Sequence, residues 1–551
     1  MNSRPRKALF VVLDAMRFDV VSNPTAAKAI APNLARLAER GFVRKCIANA
    51  QSTQFVLPSI FTQTYPLDHG GYNDGIRHRP KSMVELFKEA GFETHMMSSS
   101  NQIGVTLGYD RGFDTVRTTT DYRTLLEQRI SRTLGYELAL WRREGEESTR
   151  DKLVLEFDLL LQTLKEGIAS HDKSLWPQAL KDINQRVASG CEAERALLRS
   201  EPEVVFAKLE QIPAGVYWKF LGREKVGAWE LFRGRIRPGI AYRLSRWAAP
   251  RFWVPFFLGG HYQVKTGEII GSLTDFVREA SDRQWYVHMH AMDVHDCRFI
   301  DRFGHIIDRL TFLPRWWRAR RAGLTPRRWT YDTAVMCFDR DIGKLIDVLE
   351  TTGQFEDTTI VVAGDHGYDY ACSPRGKKNV GLRTYREDIE AAMILVGPKP
   401  EPEGQQGLLD SMGVSASFLA AAGISPHESY KGASIYSGGR DAVVTESAGS
   451  GNADLARRDI YMTVTTPREK LMTCLIGPEL KLLRFFDLDA DPDELYDLLG
   501  APGVAARVAP LVEILKRERG TLLAMRGALN VETDTLSLQP VPSPPARYTQ
   551  S

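Results

Sequence analysis

The chain has 551 residues, 43% hydrophobic and 26% charged, a composition that supports a large buried core and excludes a disordered or fibrous protein. Its 72 basic and 69 acidic residues nearly cancel, so the whole-chain charge points to no nucleic-acid partner and any preference for anions is local. No run of about 18 apolar residues occurs, the N-terminus meets charge too soon for a secretory signal, and six scattered cysteines lack any CxxC spacing, which together predict a cytoplasmic protein with free thiols.

The first element, KALFVVLD at residues 7–14, is a short apolar run ending in an acid. It fits a buried parallel strand that delivers Asp14 to the carboxyl edge of a sheet, where open α/β sheets bind their ligands. Residues 31–38, APNLARLA, predict a helix, and 49–71 read NAQSTQFVLPSIFTQTYPLDHGG. There Ser52 and Thr53 precede Phe55, Val56, Leu57, Ile60 and Phe61, whose spacing suits one face of a short helix. Thr53 therefore stands at a helix N-terminus, where unpaired N–H groups and the helix dipole favour a phosphate or sulfate; a plain helix cap is the alternative reading. An amphipathic helix follows at 82–90, closed by Gly91, and then the strand FETHMMSS.

From about 120 to 265 the composition turns to long, charged, helical segments. Their second half interleaves aromatic residues with Arg233, Arg235, Arg237 and other cations, and a similar mixture of Arg and Trp returns at 314–329. Such a surface suits anionic lipid headgroups or an extended anionic substrate, or it is helix packing with Arg at the rim. Between them, QWYVHMHAMDVH at 284–295 places His290, Asp293 and His295 at a strand end. The helix YDTAVMCFDRDIGKLIDVLETTG leads into the strand TTIVVAGDHG, with Asp365 and His366 at its tip. Lys377 and Lys378 lie in the loop beyond, AAMILVGP is a further buried strand, 407–424 a helix, and the segments from 441 read as strands with hairpin breaks. The tail from 535, rich in Pro and Ser, is expected to be disordered.

In order and spacing these segments resemble the sulfatase and alkaline-phosphatase-like superfamily over roughly residues 7–116 and 284–499. The carriers are Asp14-Ala15-Met16-Arg17-Phe18-Asp19, the Pro32-Asn33-Leu34 helix, Tyr65-Pro66-Leu67-Asp68-His69-Gly70, Gly112-Phe113-Asp114, the run His290 to His295, and the helix before Gly364-Asp365-His366-Gly367. Laid on the family pattern, Thr53 falls at the nucleophile position. Sulfatases proper carry Cys or Ser there, in Cys/Ser-x-Pro-x-Arg, which is oxidised to formylglycine. This chain has Thr53-Gln54-Phe55-Val56-Leu57, and Thr cannot become formylglycine, so the resemblance is closer to the branch with a Thr nucleophile that mainly handles phosphate esters.

The resemblance implies a three-layer αβα sandwich around a mostly parallel sheet: a catalytic domain at 1–119 and 266–440, a helical insertion at 120–265 and a smaller C-terminal α+β domain at 441–534 with antiparallel strands. It implies a metal-dependent phosphate-ester hydrolase or transferase, with a sulfatase that does without formylglycine and a non-catalytic binder of anionic glycan or lipid as rivals. Asp14, Thr53, Asp365 and His366 are the implied ligands of one divalent ion, Zn or Mn favoured and Mg or Ca allowed, with room for a second ion. Thr53, Arg17, His295 and Lys378 are the implied catalytic residues, and His290, Asp293 and Lys377 the substrate-binding ones. The expected partner is an anionic ester, a large glycan or a lipid headgroup, with peripheral membrane contact as a further possibility and the oligomeric state open.

Overall fold

The computed structural model describes residues 7–99, 103, 105–232, 236, 240, 264–297, 307–308, 310–369, 384–397, 399, 402, 407–449 and 455–528. Lys377, Lys378, Arg233, Arg235, Arg237 and the tail from 535 lie outside them. By compactness the chain forms two units, residues 1–92 with 353–551, and residues 93–352.

The strands are β1 (Lys7–Leu13), β2 (Phe42–Ile47), β3 (Glu93–Ser98), β4 (Thr115–Thr118), β5 (Trp285–Ala291) and β6 (Thr358–Ala363). They continue with β7 (Glu390–Val396), β8 (Leu409–Asp410), β9 (Val443–Ser447), β10 (Ile460–Thr465), β11 (Glu469–Ile476) and β12 (Glu479–Asp487).

In the first unit β1 pairs in parallel with β6, β6 and β2 each pair antiparallel with β7, and β2 pairs in parallel with β8. Only β7 runs against the others, so the expected mostly parallel sheet is present. β1 and β6 are buried at every position, which is why both read as continuous apolar runs without alternation. A register that aligns Val12 with Ala363 brings the chain leaving β1 beside the chain leaving β6, and this sets Asp14 near Asp365. The helices on these strands start on side-chain caps: Asn23 caps the helix at Pro24, Ser82 forms a capping box with Glu85, and Asp410 caps the helix Ser411–Ala421.

β9 to β12 form a separate antiparallel sheet in chain order. It is fastened to the segment ahead of Thr53: Glu446 N donates to Asn49 O at 2.8 Å, Thr445 Oγ1 to Ala48 O at 2.7 Å and Gln51 Nε2 to Ser447 Oγ at 2.9 Å. A helix absent from the sequence reading, Val504–Met525, follows; its backbone leaves helical geometry at Arg519 (φ −122°, ψ 21°).

In the second unit β3 pairs in parallel with both β4 and β5. Asp114 ties β3 to the chain entering β4, accepting from Thr94 N at 2.9 Å and Thr94 Oγ1 at 3.0 Å. Between β4 and β5 lie helices Tyr122–Arg129, Gly135–Glu144, Glu147–Ser170, Gln178–Ser200 and Pro202–Gln211, with their own apolar core around Phe157, Leu161, Leu164, Val187 and Tyr217. A fully buried Glu194 accepts from Lys208 Nζ at 2.6 Å, Tyr217 Oη at 2.5 Å and Gly222 N at 2.6 Å, so its charge is compensated from three sides.

Candidate active site

Asp14 and Asp365 leave the ends of β1 and β6, and Thr53 is the first residue of the helix Thr53–Thr62, with Ser52 extended ahead of it. That helix is buried all round, including Gln54, Ser59 and Thr62, so the expected single apolar face is a buried rod instead. Its interior polar groups bond locally: Thr62 Oγ1 donates to Pro58 O at 2.8 Å and Ser59 Oγ to Thr64 O at 2.9 Å.

The Thr53 hydroxyl donates to Asp14 Oδ2 at 2.8 Å and lies 3.3 Å from His366 Nε2. His366 Nε2 is 3.5 Å from Asp365 Oδ2 and 3.7 Å from Asp14 Oδ1. Its other ring nitrogen, Nδ1, sits 2.5 Å from Gly367 O. A carbonyl only accepts, so Nδ1 carries a proton, and the ring turns Nε2 toward the two carboxylates. The second oxygen of Asp365 accepts from Ala15 N and His366 N, each at 2.9 Å, which fixes the carboxylate plane.

The backbone is forced at this point. Ala15 has φ 64°, a left-handed conformation that a residue with a Cβ adopts at some cost, and it directs its N–H at Asp365. Gly364 and Gly367 have no room for a side chain: a Cβ would lie 2.2 Å from Met16 O at the first and 2.4 Å from Glu387 O at the second. The two glycines of Gly-Asp-His-Gly are thus close-approach positions that let the Asp365-His366 segment sit against the backbone at Met16 and Glu387.

One ligand atom each from Asp14, Asp365 and His366 lies within 4.8 Å of the others, and all three residues are buried. Two carboxylates buried beside an imidazole are costly unless a cation joins them, and an O,O,N donor set suits a divalent metal ion. The residues present fit such an ion.

Of the other predicted residues, Arg17 forks onto Asp19 at 3.0 and 3.1 Å and donates to Tyr368 O at 3.1 Å. His290, Asp293 and His295 belong to the second unit. There Asp293 caps the helix Thr266–Glu279, accepting from Thr266 Oγ1 at 2.6 Å and Thr266 N at 3.0 Å, and burial raises its carboxyl above the usual range despite Lys265 nearby. His290 is fully buried in β5, and His295 is half-exposed with Nδ1 2.9 Å from Asp296 Oδ1.

Sequence reasoning missed the residues that hold the loop after the helix Thr53–Thr62. Arg79, buried, donates to Tyr65 O, Pro66 O, Asp68 O, Gly71 O and Gly75 O at 2.8 to 3.0 Å. Arg519 donates to Asp68 Oδ1 at 2.8 Å and lies 2.6 Å from Glu446 Oε2, while Glu446 Oε1 accepts from Leu67 N at 2.7 Å. No sequence signal marks Arg519, since its burial is set by the fold.

The sulfatase family pattern matches residues 6–190 and 204–424. The chain belongs to the sulfatase family. An N-acetylglucosamine-6-O-sulfatase of Bacteroides thetaiotaomicron is 26% identical over 200 residues, 34% of each chain, so the alignment spans about a third of that relative's length. Among solved structures, the phosphonate monoester hydrolase of Agrobacterium radiobacter superposes with TM-score 0.53 at 13% identity, over 94% of this chain and 96% of that one. A 2-O GAG sulfatase, BT1596, gives 0.51 at 13% over 94% and 93%. Ps i-CgsB in complex with k-i-k-neocarrahexaose gives 0.51 at 14% over 97% and 96%. At these identities the likeness shows that this sulfatase-family chain shares their fold.

Proposed function

We propose that this sulfatase-family protein hydrolyses phosphoric or sulfuric esters, or transfers their phosphoryl or sulfuryl group, with Thr53 as nucleophile. The observation that carries the reading is the Thr53 hydroxyl at the start of its helix, 2.8 Å from Asp14 and beside Asp365 and His366. Asp14, Asp365 and His366 would hold a divalent ion, which when bound supplies electrophilic stabilisation of the ester oxygens. Zn or Mn suits the mixed donors best, and Mg or Ca remain alternatives.

In the first step the Thr53 proton passes to Asp14, Thr53 Oγ1 bonds to phosphorus, and the bond from phosphorus to the ester oxygen breaks. The leaving alkoxide takes a proton, for which His295 is the proposed donor, and Arg17 is proposed to stabilise the equatorial oxygens. Water, or an acceptor alcohol in the transferase version, then attacks the phosphorus while His295 takes its proton, the bond from phosphorus to Thr53 Oγ1 breaks, and Asp14 returns its proton to Thr53.

Phosphate esters are favoured because a Thr side chain cannot supply the formylglycine on which sulfate chemistry in the family relies. Direct sulfate transfer to Thr53 is the second reading, and sulfatases are prominent among the structural relatives. An anionic glycan is the proposed substrate class, since one structural relative carries a neocarrahexaose. Comparing turnover of an aryl phosphate, an aryl phosphonate monoester and an aryl sulfate by the wild-type protein and Thr53→Ala tests both. Dominant phosphatase activity lost in the variant supports the first reading, and dominant Thr53-dependent sulfatase activity supports the second. Turnover unaffected by Thr53→Ala overturns both.

A further inference from the structure

We infer that the helix Leu313–Arg321 and the segment just before it form a docking surface for an anionic lipid bilayer. The helix sequence LPRWWRARR carries Arg315, Arg318, Arg320 and Arg321 and no carboxylate. Trp316 is buried against the unit, and Arg320 lies over its ring with 5.4 Å to the centroid, so this residue anchors the helix. The next residue, Trp317, is 54% exposed and meets Trp316 edge-on at 5.0 Å, a large apolar ring held outward by a packed neighbour. Arg321, four positions on, neighbours Trp317 on the helix surface, and Arg318, three positions before Arg321, is exposed as well. Among the described residues no ion pair joins Arg318, Arg320 or Arg321 to a carboxylate, whereas the arginines on the helical cluster are bridged, Arg142 to Glu203 and Glu210 and Arg195 to Asp158.

Just before the helix, Ile307 and Leu310 are 52% and 47% exposed. This apolar component selects the occupant. A glycan or nucleic acid stacks on Trp and pairs with Arg but gains little from isolated aliphatic side chains. An anionic membrane surface takes all three: phosphates at the arginines, Trp at the headgroup level, and Ile and Leu at the acyl boundary.

The test is sedimentation of the full chain with vesicles of phosphatidylcholine mixed with phosphatidylglycerol, against vesicles of phosphatidylcholine alone. Binding confined to the mixed vesicles is expected. The triple variant R318E/R320E/R321E should lower affinity by about a hundredfold, and Trp317→Ala or Leu310→Ser by several-fold, with thermal unfolding and small aryl-ester turnover unchanged. No binding of the wild type, or binding insensitive to Trp317→Ala and Leu310→Ser together, overturns the proposal; the second outcome marks a soluble polyanion as the partner. Because a charge-reversed variant can lose stability, the neutral R318Q/R321Q serves as a second variant, and its unchanged vesicle binding likewise overturns the assignment.

Discussion

Thr53 and Asp14, 39 positions apart, share a hydrogen bond of 2.8 Å between two buried side chains. This is the contact through which the proposed nucleophile would lose its proton. Thr53→Ala should lower kcat by about a thousandfold or more, while Thr53→Ser, which keeps the oxygen, retains measurable turnover. Steady-state kinetics on an aryl phosphate and an aryl sulfate read the difference. Circular dichroism should show both variants folded, because the side chain's removal leaves the apolar rod behind it intact.

Metal content separates the ligands from their neighbours. Asp365→Asn and His366→Ala should each lose stoichiometric metal, measured by elemental analysis after dialysis, together with activity. Arg17→Gln should keep the metal, since its guanidinium is engaged with Asp19 and Tyr368 O. Metal retained in both ligand variants would sink the assignment.

Asp68 gives a pH dependence of stability. Burial alone would raise its carboxyl, but Arg519 and Lys431 outweigh burial and hold it down to about 2, against an ordinary 3.8. A lowered folded value means that the unfolded chain binds the proton more readily. The stabilisation is therefore complete above about 4 and disappears as pH falls toward 2. Asp68→Asn should cost about 2 kcal/mol at neutral pH, and the gap to wild type in urea midpoints should close across that acid window.

Glycine 364 and glycine 353 make a controlled pair. Gly364→Ala drives a Cβ to 2.2 Å from the Met16 carbonyl, whereas at Gly353, with φ 68°, nothing lies within 4 Å. The first change should cost about 3 kcal/mol or more, or prevent folding, and the second about 1 kcal/mol. Thermal melts of the two variants read the contrast.

Arg79 is expected to resist replacement by lysine. Five carbonyls of the loop between Tyr65 and Gly75 accept from its guanidinium, and a lysine has three donors from a single point. Arg79→Lys should therefore destabilise by about 2 kcal/mol or more, with earlier proteolytic cleavage in 64–75 as the local readout.

The legible parts of the fold were those with a local physical signature. β1 and β6 announce themselves as apolar runs ending in acids, the helix Met83–Glu89 by its amphipathic pattern and Gly91, and the Asp-His pair by its place at the end of an apolar strand. What stayed hidden depended on distant chain. Nothing near Asp68 says that Arg519 will neutralise it, and nothing near Asp293 says that it will cap Thr266. The helix Val504–Met525 was masked by Pro510 in its interior and by a buried arginine, both of which break the expected pattern.

The break at Arg519 also has a temporal meaning. Asp68 leaves the ribosome 451 residues ahead of the guanidinium that compensates it, a delay on the order of half a minute at ordinary elongation rates. Until then the turn following the helix Thr53–Thr62 carries a carboxylate with one of its countercharges still unmade, and Glu446 waits for the same arginine. Maturation of that turn is thereby tied to synthesis of Arg519, so that a nascent chain stopped before it, although it holds Asp14, Thr53, Asp365 and His366, lacks this clasp on the segment that carries Thr53.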